Sequence, residues 1–215
     1  MIFTVTSLAA CRENTRARYL SGAEAVFWET ANTTEFESPA ERSAFQWRYF
    51  DYYALHAPEF FFVAVSEEAE PTSQPTSEST PQSTSEPTPQ PTSEPPPEPT
   101  VLGYICGVAD TRSHAELYRV AAHVPIFDDL YTSYPAHLHI NLTAASRGLG
   151  LGGRLVESLS SAVAAAGAGG IHLVTSPGAR NVSFYRRQGF IDAVERTLPT
   201  GGGQGVPLLF LGKHW

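Results

Sequence analysis

The stretch SRGLGLGGRL, residues 146–155, is the part of the sequence whose composition and spacing most clearly suggest chemistry. It precedes a run with helical periodicity, so its backbone N–H groups are expected at the N-terminus of a helix. Such amides bind phosphate groups, and glycine lets the backbone approach the anion closely. The stretch fits two patterns. Gly148, Gly150 and Gly153 satisfy G-x-G-x-x-G, and the register that begins at Arg147 satisfies [Q/R]-x-x-G-x-[G/A].

The first pattern, which is typical of dinucleotide-binding turns, lacks its usual companions. Such a turn follows its strand directly, and an acidic residue about 20 positions later holds the ribose. Here TAASR separates the glycines from the preceding strand, and the next strand, IHLVTS (171–176), ends without an acidic residue. No G-K-[ST] follows, which excludes a P-loop. The register that begins at Arg147 is therefore favoured.

A second motif lies downstream of the loop. FYRRQGF, residues 184–190, fits F-Y-x-x-x-G-F. Together with the strands before and after the loop, this order over residues 137–190 resembles the GNAT superfamily of N-acetyltransferases. GYICG (103–107) is similar to that family's preceding strand. YPAHLHIN (134–141) resembles a branch related to the acetyltransferase-like domain found beside O-GlcNAc hydrolases.

The resemblance implies acetyl-CoA as the cosubstrate and a direct attack by an amine on its thioester in a ternary complex. The acceptor would be a small-molecule or peptide amine. The loop would bind the pyrophosphate, and backbone groups of the preceding strand would pair with the pantetheine arm. The residues implied for cofactor binding are Ile140, Leu142, Arg147, Gly148, Gly150, Gly152 and Gly153. A catalytically inactive CoA-binding or protein-interaction module of the same fold is the alternative.

The resemblance also implies a general acid at Tyr185, because a phenol can protonate the departing thiolate. It assigns no base, since the stretch where some branches carry a glutamate contains His137 and no carboxylate. His137 and His139 share one face of a strand and titrate in a useful range. Asp110, which follows the strand at 101–108, is a third candidate. An H-x-H metal site lacks a third ligand at recognisable spacing, so no metal is predicted.

The elements that position these residues follow an α/β pattern. Leucine and valine repeat every fourth position from residue 151, which predicts a helix to about residue 166, and glycines follow it. A further helix is predicted over 41–55, with Phe45, Tyr49 and Tyr52 on one face. The fold prediction is a GNAT-like mixed central sheet flanked by helices. Strands are predicted at 2–8, 60–65, 101–108, 137–142, 171–175 and 206–211, and a short helix at 181–188.

Residues 66–100 differ in composition from the rest of the chain. They hold ten of the 17 prolines, repeat PTSE and PTSQ units, and contain no aliphatic side chain larger than alanine. Such a segment cannot bury enough apolar surface to offset its ordering entropy, so it is predicted to be disordered. Because neither flank suffices for a core of its own, we predict one domain over residues 1–215, with this segment inserted in a β-hairpin.

Charge and cysteine content limit the partners of the protein. Seven of the 22 acidic residues and none of the 14 basic residues lie in 66–100, so the rest of the chain is nearly neutral. Nucleic acid is therefore not an expected partner. No apolar run approaches the length of a membrane span. Two cysteines and no zinc-type cluster favour a reducing compartment, which predicts a cytoplasmic protein.

Overall fold

The computed structural model describes residues 2–33, 35–67, 99–201 and 203–215. They form a seven-stranded sheet with the order β1-β2-β3-β4-β5-β7-β6. Neighbouring strands are antiparallel except for β4 and β5, which are parallel. The strands are β1 (Ile2–Ser7), β2 (Phe61–Glu67), β3 (Val101–Val108), β4 (Ala136–Leu142), β5 (Gly170–Thr175), β6 (Asp192–Leu198) and β7 (Val206–His214).

Helices cover both faces of this sheet, which confirms the predicted mixed α/β architecture. One face packs against an aromatic cluster that includes Phe27, Phe50 and Phe61, and the other packs against α5. The α-helices are α1 (Glu13–Thr30), α2 (Pro39–Gln46), α3 (Tyr52–His56), α4 (Ala115–Val120), α5 (Leu151–Ala165) and α6 (Val182–Arg187). The four-residue repeat of α5 faces the core, because Leu151, Leu155, Leu159 and Val163 are all buried.

Three elements were not predicted from the sequence. Helix α1 is polar over its first turns and buries only Ala23, Val26 and Phe27, so it carries little apolar periodicity. Strand β6 lies at the sheet edge with mostly exposed side chains, and α4 has only six residues. The last strand also continues beyond the predicted end at residue 211.

The strands that flank the proline-rich segment pair as predicted. β2 and β3 are antiparallel neighbours, with Phe61 opposite Cys106 and Val63 opposite Tyr104. Residues 61–67 and 101–108 therefore form the two arms of a hairpin. The predicted disordered segment, residues 66–100, begins too early, because Ser66 and Glu67 still belong to β2 and the Ser66 N–H donates to the Thr100 carbonyl oxygen at 2.9 Å. The rest of the prediction falls on residues 68–98, which lie outside the described residues.

The helix predicted over 41–55 contains a π-helical turn, Trp47–Asp51, between α2 and α3. A π-helical turn contains more residues than an α-helical turn, so the side chains that follow it are rotated about the helix axis relative to a regular α-helix. The predicted face of Phe45, Tyr49 and Tyr52 is therefore wrong in its last member. Tyr53 joins Phe45 and Tyr49 along an internal cavity, whereas the Tyr52 hydroxyl lies 2.8 Å from His114 Nδ1.

The close approach of β3 to β4 generates one stability prediction. A Cβ atom added to Gly107 would lie 1.9 Å from the carbonyl oxygen of His137, and backbone cannot move aside without shifting the strand. We expect Gly107→Ala to lower the free energy of unfolding by about 3 kcal/mol, as overpacking of a core does. Urea unfolding measures this. Gly169→Ala is the matched control, because nothing lies within 4 Å of its added Cβ. Equal stability of the two variants would contradict the close packing of β3 on β4.

Candidate functional site

A cleft opens where β4 and β5 part. The two strands pair only at Ala136 with Ile171 and at His137 with His172. The Thr143 N–H donates to the Leu102 carbonyl oxygen at 3.0 Å, which fixes the alternation of hydrogen bonds between β3 and β4. The N–H and C=O groups of residues 140 and 142 therefore point away from β3. They face the cleft, where β5 no longer pairs with them.

The loop that follows β4 presents unpaired amides at the N-terminus of α5. Gly148 and Gly150 have φ angles of 80° and 81°, a conformation that disfavours side chains. Among the described residues, no backbone hydrogen bond uses the N–H groups of Gly148, Leu149 or Gly150. The first amides of α5, which begins at Leu151, also lack intrahelical partners. The loop and helix start together form a concentration of donors suited to an anion.

The last two glycines of the motif meet α6 as well. A Cβ added to Gly152 would lie 3.0 Å from the Phe184 ring, so the packing of α5 on α6 favours glycine at this position. A Cβ at Gly153 would lie 3.3 Å from the Gln188 side chain, which is flexible. Arg147 is exposed beside the loop and takes part in none of the ion pairs of the described residues. Packing and anion binding thus both favour small residues here.

A cavity of about 430 Å³ lies between the parted strands and helices α1 to α3. His137, His139, Ile140 and Tyr185 line it, so the structure brings four of the predicted site residues together. Asp110 does not line it. Its carboxylate accepts hydrogen bonds from the Arg112 N–H at 3.1 Å and from the Ser113 hydroxyl, and so caps the turn after β3. Leu142 lies farther along β4, beside Gly152.

Hydrogen bonds along the cavity wall form a chain in which each donor and acceptor can be assigned. The Thr111 hydroxyl donates to the Pro135 carbonyl oxygen at 2.8 Å, because a carbonyl can only accept. Thr111 Oγ1 therefore accepts from His137 Nδ1, also at 2.8 Å. Burial lowers the pKa of His137 well below its ordinary value, so its ring is neutral and Nε2 is an acceptor. The Tyr53 hydroxyl lies 2.9 Å from this Nε2 and donates to it.

The chain ends at His139. Since the Tyr53 proton points to His137, the Tyr53 oxygen must accept from His139 Nε2, which lies 3.0 Å away. Burial lowers the pKa of His139 to about 3, so this ring is also neutral. Its Nδ1 therefore carries a lone pair, and among the described residues no hydrogen bond reaches that atom. His139 thus offers the cavity an oriented acceptor.

Tyr185 faces the same cavity from α6. Burial raises the pKa of its phenol to about 12, so the hydroxyl stays protonated near neutrality. No hydrogen bond among the described residues uses this hydroxyl. The cavity therefore holds an acceptor at His139 and a retained donor at Tyr185.

The sequence did not single out Tyr53, Thr111 or His172 as parts of this site. His172 is stacked between the rings of Tyr131 and Phe210, at centroid distances of 4.7 and 4.8 Å. Its Nδ1 donates to the Tyr134 carbonyl oxygen at 2.8 Å. One sequence feature could have indicated the role of Tyr53, namely its position four residues after Tyr49 in a helix rich in aromatic residues.

Metal ligation is not indicated by the described part of the chain. It contains no group of three or more histidine, cysteine, aspartate or glutamate side chains arranged to hold an ion. The Nε2 atoms of His137 and His139 both bond to the Tyr53 hydroxyl instead. No helix within the described ranges has the length and hydropathy needed to cross a bilayer.

Solved structures that are similar to this chain over its whole length identify the fold. One similar structure is SsHAT. The match covers 100% of this chain and 98% of the SsHAT chain, with a TM-score of 0.58 and 19% sequence identity. Another is a chain of the NatC complex bound to Gag peptide and CoA. That match covers 100% of this chain and 99% of the NatC chain, with a TM-score of 0.56 and 12% sequence identity. The chain has the GNAT fold.

A third GNAT-fold match is described as a "Putative Acetyltransferase" of Acinetobacter baylyi ADP1. It covers 100% of this chain and 92% of its own, with a TM-score of 0.52 and 13% identity. No protein-family model matches the sequence. The resemblance of residues 134–141 to the O-GlcNAc hydrolase branch stays a prediction. At sequence identities this low, the similarity to these structures shows the fold alone.

The buried histidines of this GNAT fold predict acid lability. Burial holds the pKa of His123 at about 4 and those of His139 and His172 at about 3, and keeps His137 neutral too. In the unfolded chain each pKa returns to about 6.5. Below that pH the unfolded state binds more protons, so the free energy of unfolding falls by up to about 1.4 kcal/mol per pH unit for each histidine.

Urea unfolding at pH 7, 6 and 5 tests this, with stability expected to drop across the series. His172→Gln should flatten the dependence, because it removes one of the groups whose pKa burial lowers. Equal stability at pH 7 and pH 5 would show that the cluster is not held neutral.

Proposed function

We propose that the protein is an N-acetyltransferase that moves the acetyl group of acetyl-CoA to an amine by direct attack in a ternary complex. The observation that carries this proposal is the parting of β4 from β5 beside a glycine-rich helix N-terminus. The neighbours support it, since one is described as an acetyltransferase and another holds CoA and a peptide. Residues 1–215 would act as a single domain.

The cofactor would lie along β4. The backbone groups at residues 140 and 142 face the cleft and would pair with the pantetheine amides as a neighbouring strand would. The pyrophosphate would then lie over the free amides from Gly148 to Gly153, where the helix N-terminus favours negative charge. Arg147, exposed beside them, would add a positive charge to the same site.

The amine would be deprotonated after attack rather than before it. A neutral amine enters the cavity, and its N–H can donate to the lone pair on His139 Nδ1. Once the C–N bond forms, the nitrogen carries a positive charge and is far more acidic than the free ammonium ion. His139 can then take its proton even though burial lowers the pKa of the imidazole to about 3. The Tyr53 oxygen already accepts from the opposite ring nitrogen and would stabilise the charged ring.

Tyr185 would complete the reaction. As the tetrahedral intermediate collapses, the C–S bond breaks and the electron pair leaves on sulfur. The phenol of Tyr185 is protonated at this stage, because burial raises its pKa to about 12. It would donate its proton to the thiolate and release CoA.

The cofactor site is tested by Gly150→Trp. Nothing lies within 4 Å of a Cβ added there, so the indole would enter the space assigned to the pyrophosphate. We expect acetyl-CoA binding, measured by titration calorimetry, to be lost. Gly167→Trp is the matched control. It has a similar φ of 93°, an equally open Cβ and a place at the other end of α5. Undiminished affinity in Gly150→Trp would sink the loop assignment.

The acid is tested by Tyr185→Phe, which keeps the ring and removes the proton. We expect kcat for CoA release to fall about 100-fold, the usual contribution of a positioned acid, while the Kd for acetyl-CoA stays unchanged. Tyr118→Phe removes a hydroxyl outside the cavity lining and should have no effect. Full turnover in Tyr185→Phe would assign the protonation of the thiolate to another group. Acetyl-CoA binding without turnover for any amine would favour the inactive-module alternative.

A further inference from the structure

Among the described residues, the side chains that line the cavity carry charge of one sign only, which is positive. Arg48 and Tyr49, both in the π-helical turn, line it together with residues from the end of α1. Among the described residues that line the cavity there is no aspartate, glutamate or lysine. Arg48 is therefore the one lining side chain of that set with a permanent charge.

The Arg48 guanidinium has no counter-ion in the described part of the protein. None of the ion pairs found there includes it, and its buried Nε has no hydrogen-bond partner. The nearest carboxylate along the helix, Asp51, accepts instead from Gln46 Nε2 at 3.1 Å. The guanidinium carbon lies 5.7 Å from the centroid of the Tyr49 ring, a cation–π contact that supplies no negative charge. A guanidinium that is partly removed from water without a counter-ion is unfavourable, and an anionic ligand would remove that cost.

The titratable groups around Arg48 do not supply the missing negative charge. After burial, the charge of Arg48 is the second cause that lowers the pKa of His123, to about 4. His137, His139 and His172 also line the cavity and are kept neutral by burial. The cavity therefore carries one uncompensated positive charge and several neutral imidazoles.

The rest of the lining combines polar threonine, serine and asparagine side chains with an apolar and aromatic surface beside Arg48. That apolar surface suits a ligand with a hydrophobic body, and a volume of about 430 Å³ is within the usual range for small-molecule sites. The side chains concerned are Phe27, Phe45, Tyr49, Leu117, Val124 and Tyr131.

We propose that the acceptor is a small amino-carboxylate with an apolar or aromatic body, and that Arg48 binds its carboxylate. This inference rests on the proposed acetyl transfer and specifies its substrate. The amine would face His139, the carboxylate would pair with the guanidinium, and the body would lie against the aromatic lining. Polycationic amines are disfavoured, because the described lining offers them no carboxylate and one like charge.

Matched amine pairs test the proposal. Phenylalanine is compared with phenethylamine, and leucine with 3-methylbutylamine, in an assay of CoA release from acetyl-CoA. Each pair differs only in the carboxylate. We expect the amino-carboxylate to have a kcat/KM at least about 10-fold higher, and Arg48→Gln to raise its KM about 10- to 100-fold with little change in kcat, as loss of a charge-assisted hydrogen bond predicts.

Two further variants separate recognition from general effects. Arg48→Lys keeps the charge and should recover part of the affinity. Arg119→Gln removes an exposed charge from an outer depression that Arg48 also lines, but Arg119 lies outside the cavity lining and its loss should change nothing. Because phenethylamine has no carboxylate to lose, Arg48→Gln should change its KM far less than the KM of phenylalanine.

The outcomes separate this inference from the proposed function. Turnover that is equal for both members of each pair, or unaffected by Arg48→Gln, overturns the inference and leaves acetyl transfer intact. If no amine is turned over, phenylalanine and leucine are titrated into the CoA-saturated protein by calorimetry. Binding that Arg48→Gln abolishes supports the carboxylate site without catalysis, and absence of binding overturns the inference together with the reaction.

Discussion

The parting of β4 from β5 is the constraint on which the rest of the site depends. A parallel pair that ends after Ala136 and His137 leaves the backbone of the remaining β4 residues without a strand partner on one side. Buried amides and carbonyls require partners, so this gap invites an extended ligand. The same divergence borders the cavity, which residues of both strands line. A fully paired β5 would close both at once.

The second constraint is the low polarity of the region behind that gap. Burial keeps His137, His139 and His172 neutral. A neutral imidazole has one N–H donor and one acceptor nitrogen, so its hydrogen-bond partners determine which nitrogen carries the proton. The chain from Thr111 through Tyr53 does this with one consistent direction. The hydrogen bond from Thr111 to the Pro135 carbonyl oxygen therefore determines, through His137 and Tyr53, which nitrogen of His139 carries the proton.

The sequence predicted the elements that carry strong local signals. The glycines of the loop, the four-residue repeat of α5 and the alternation of β4 each have a physical cause that a single chain reveals. It did not predict α1 or β6, because an amphipathic signal weakens where an element is half exposed or lies at an edge. Tyr53 was missed because the π-helical turn shifts it onto a face that α-helical periodicity assigns to Tyr52. Asp110, predicted as a candidate base, lies after β3 as a turn cap, a position that spacing alone does not reveal.

The proposed reaction requires a thioester in the cleft to lie between His139 Nδ1 and the Tyr185 hydroxyl. A crystal structure of the protein with acetyl-CoA measures this directly. We predict pantetheine amides paired with the backbone at residues 140 and 142, the pyrophosphate over Gly148 to Gly153, and the thioester sulfur within hydrogen-bonding reach of Tyr185. An acetyl-CoA molecule bound away from β4, or a thioester that neither His139 nor Tyr185 faces, would contradict it.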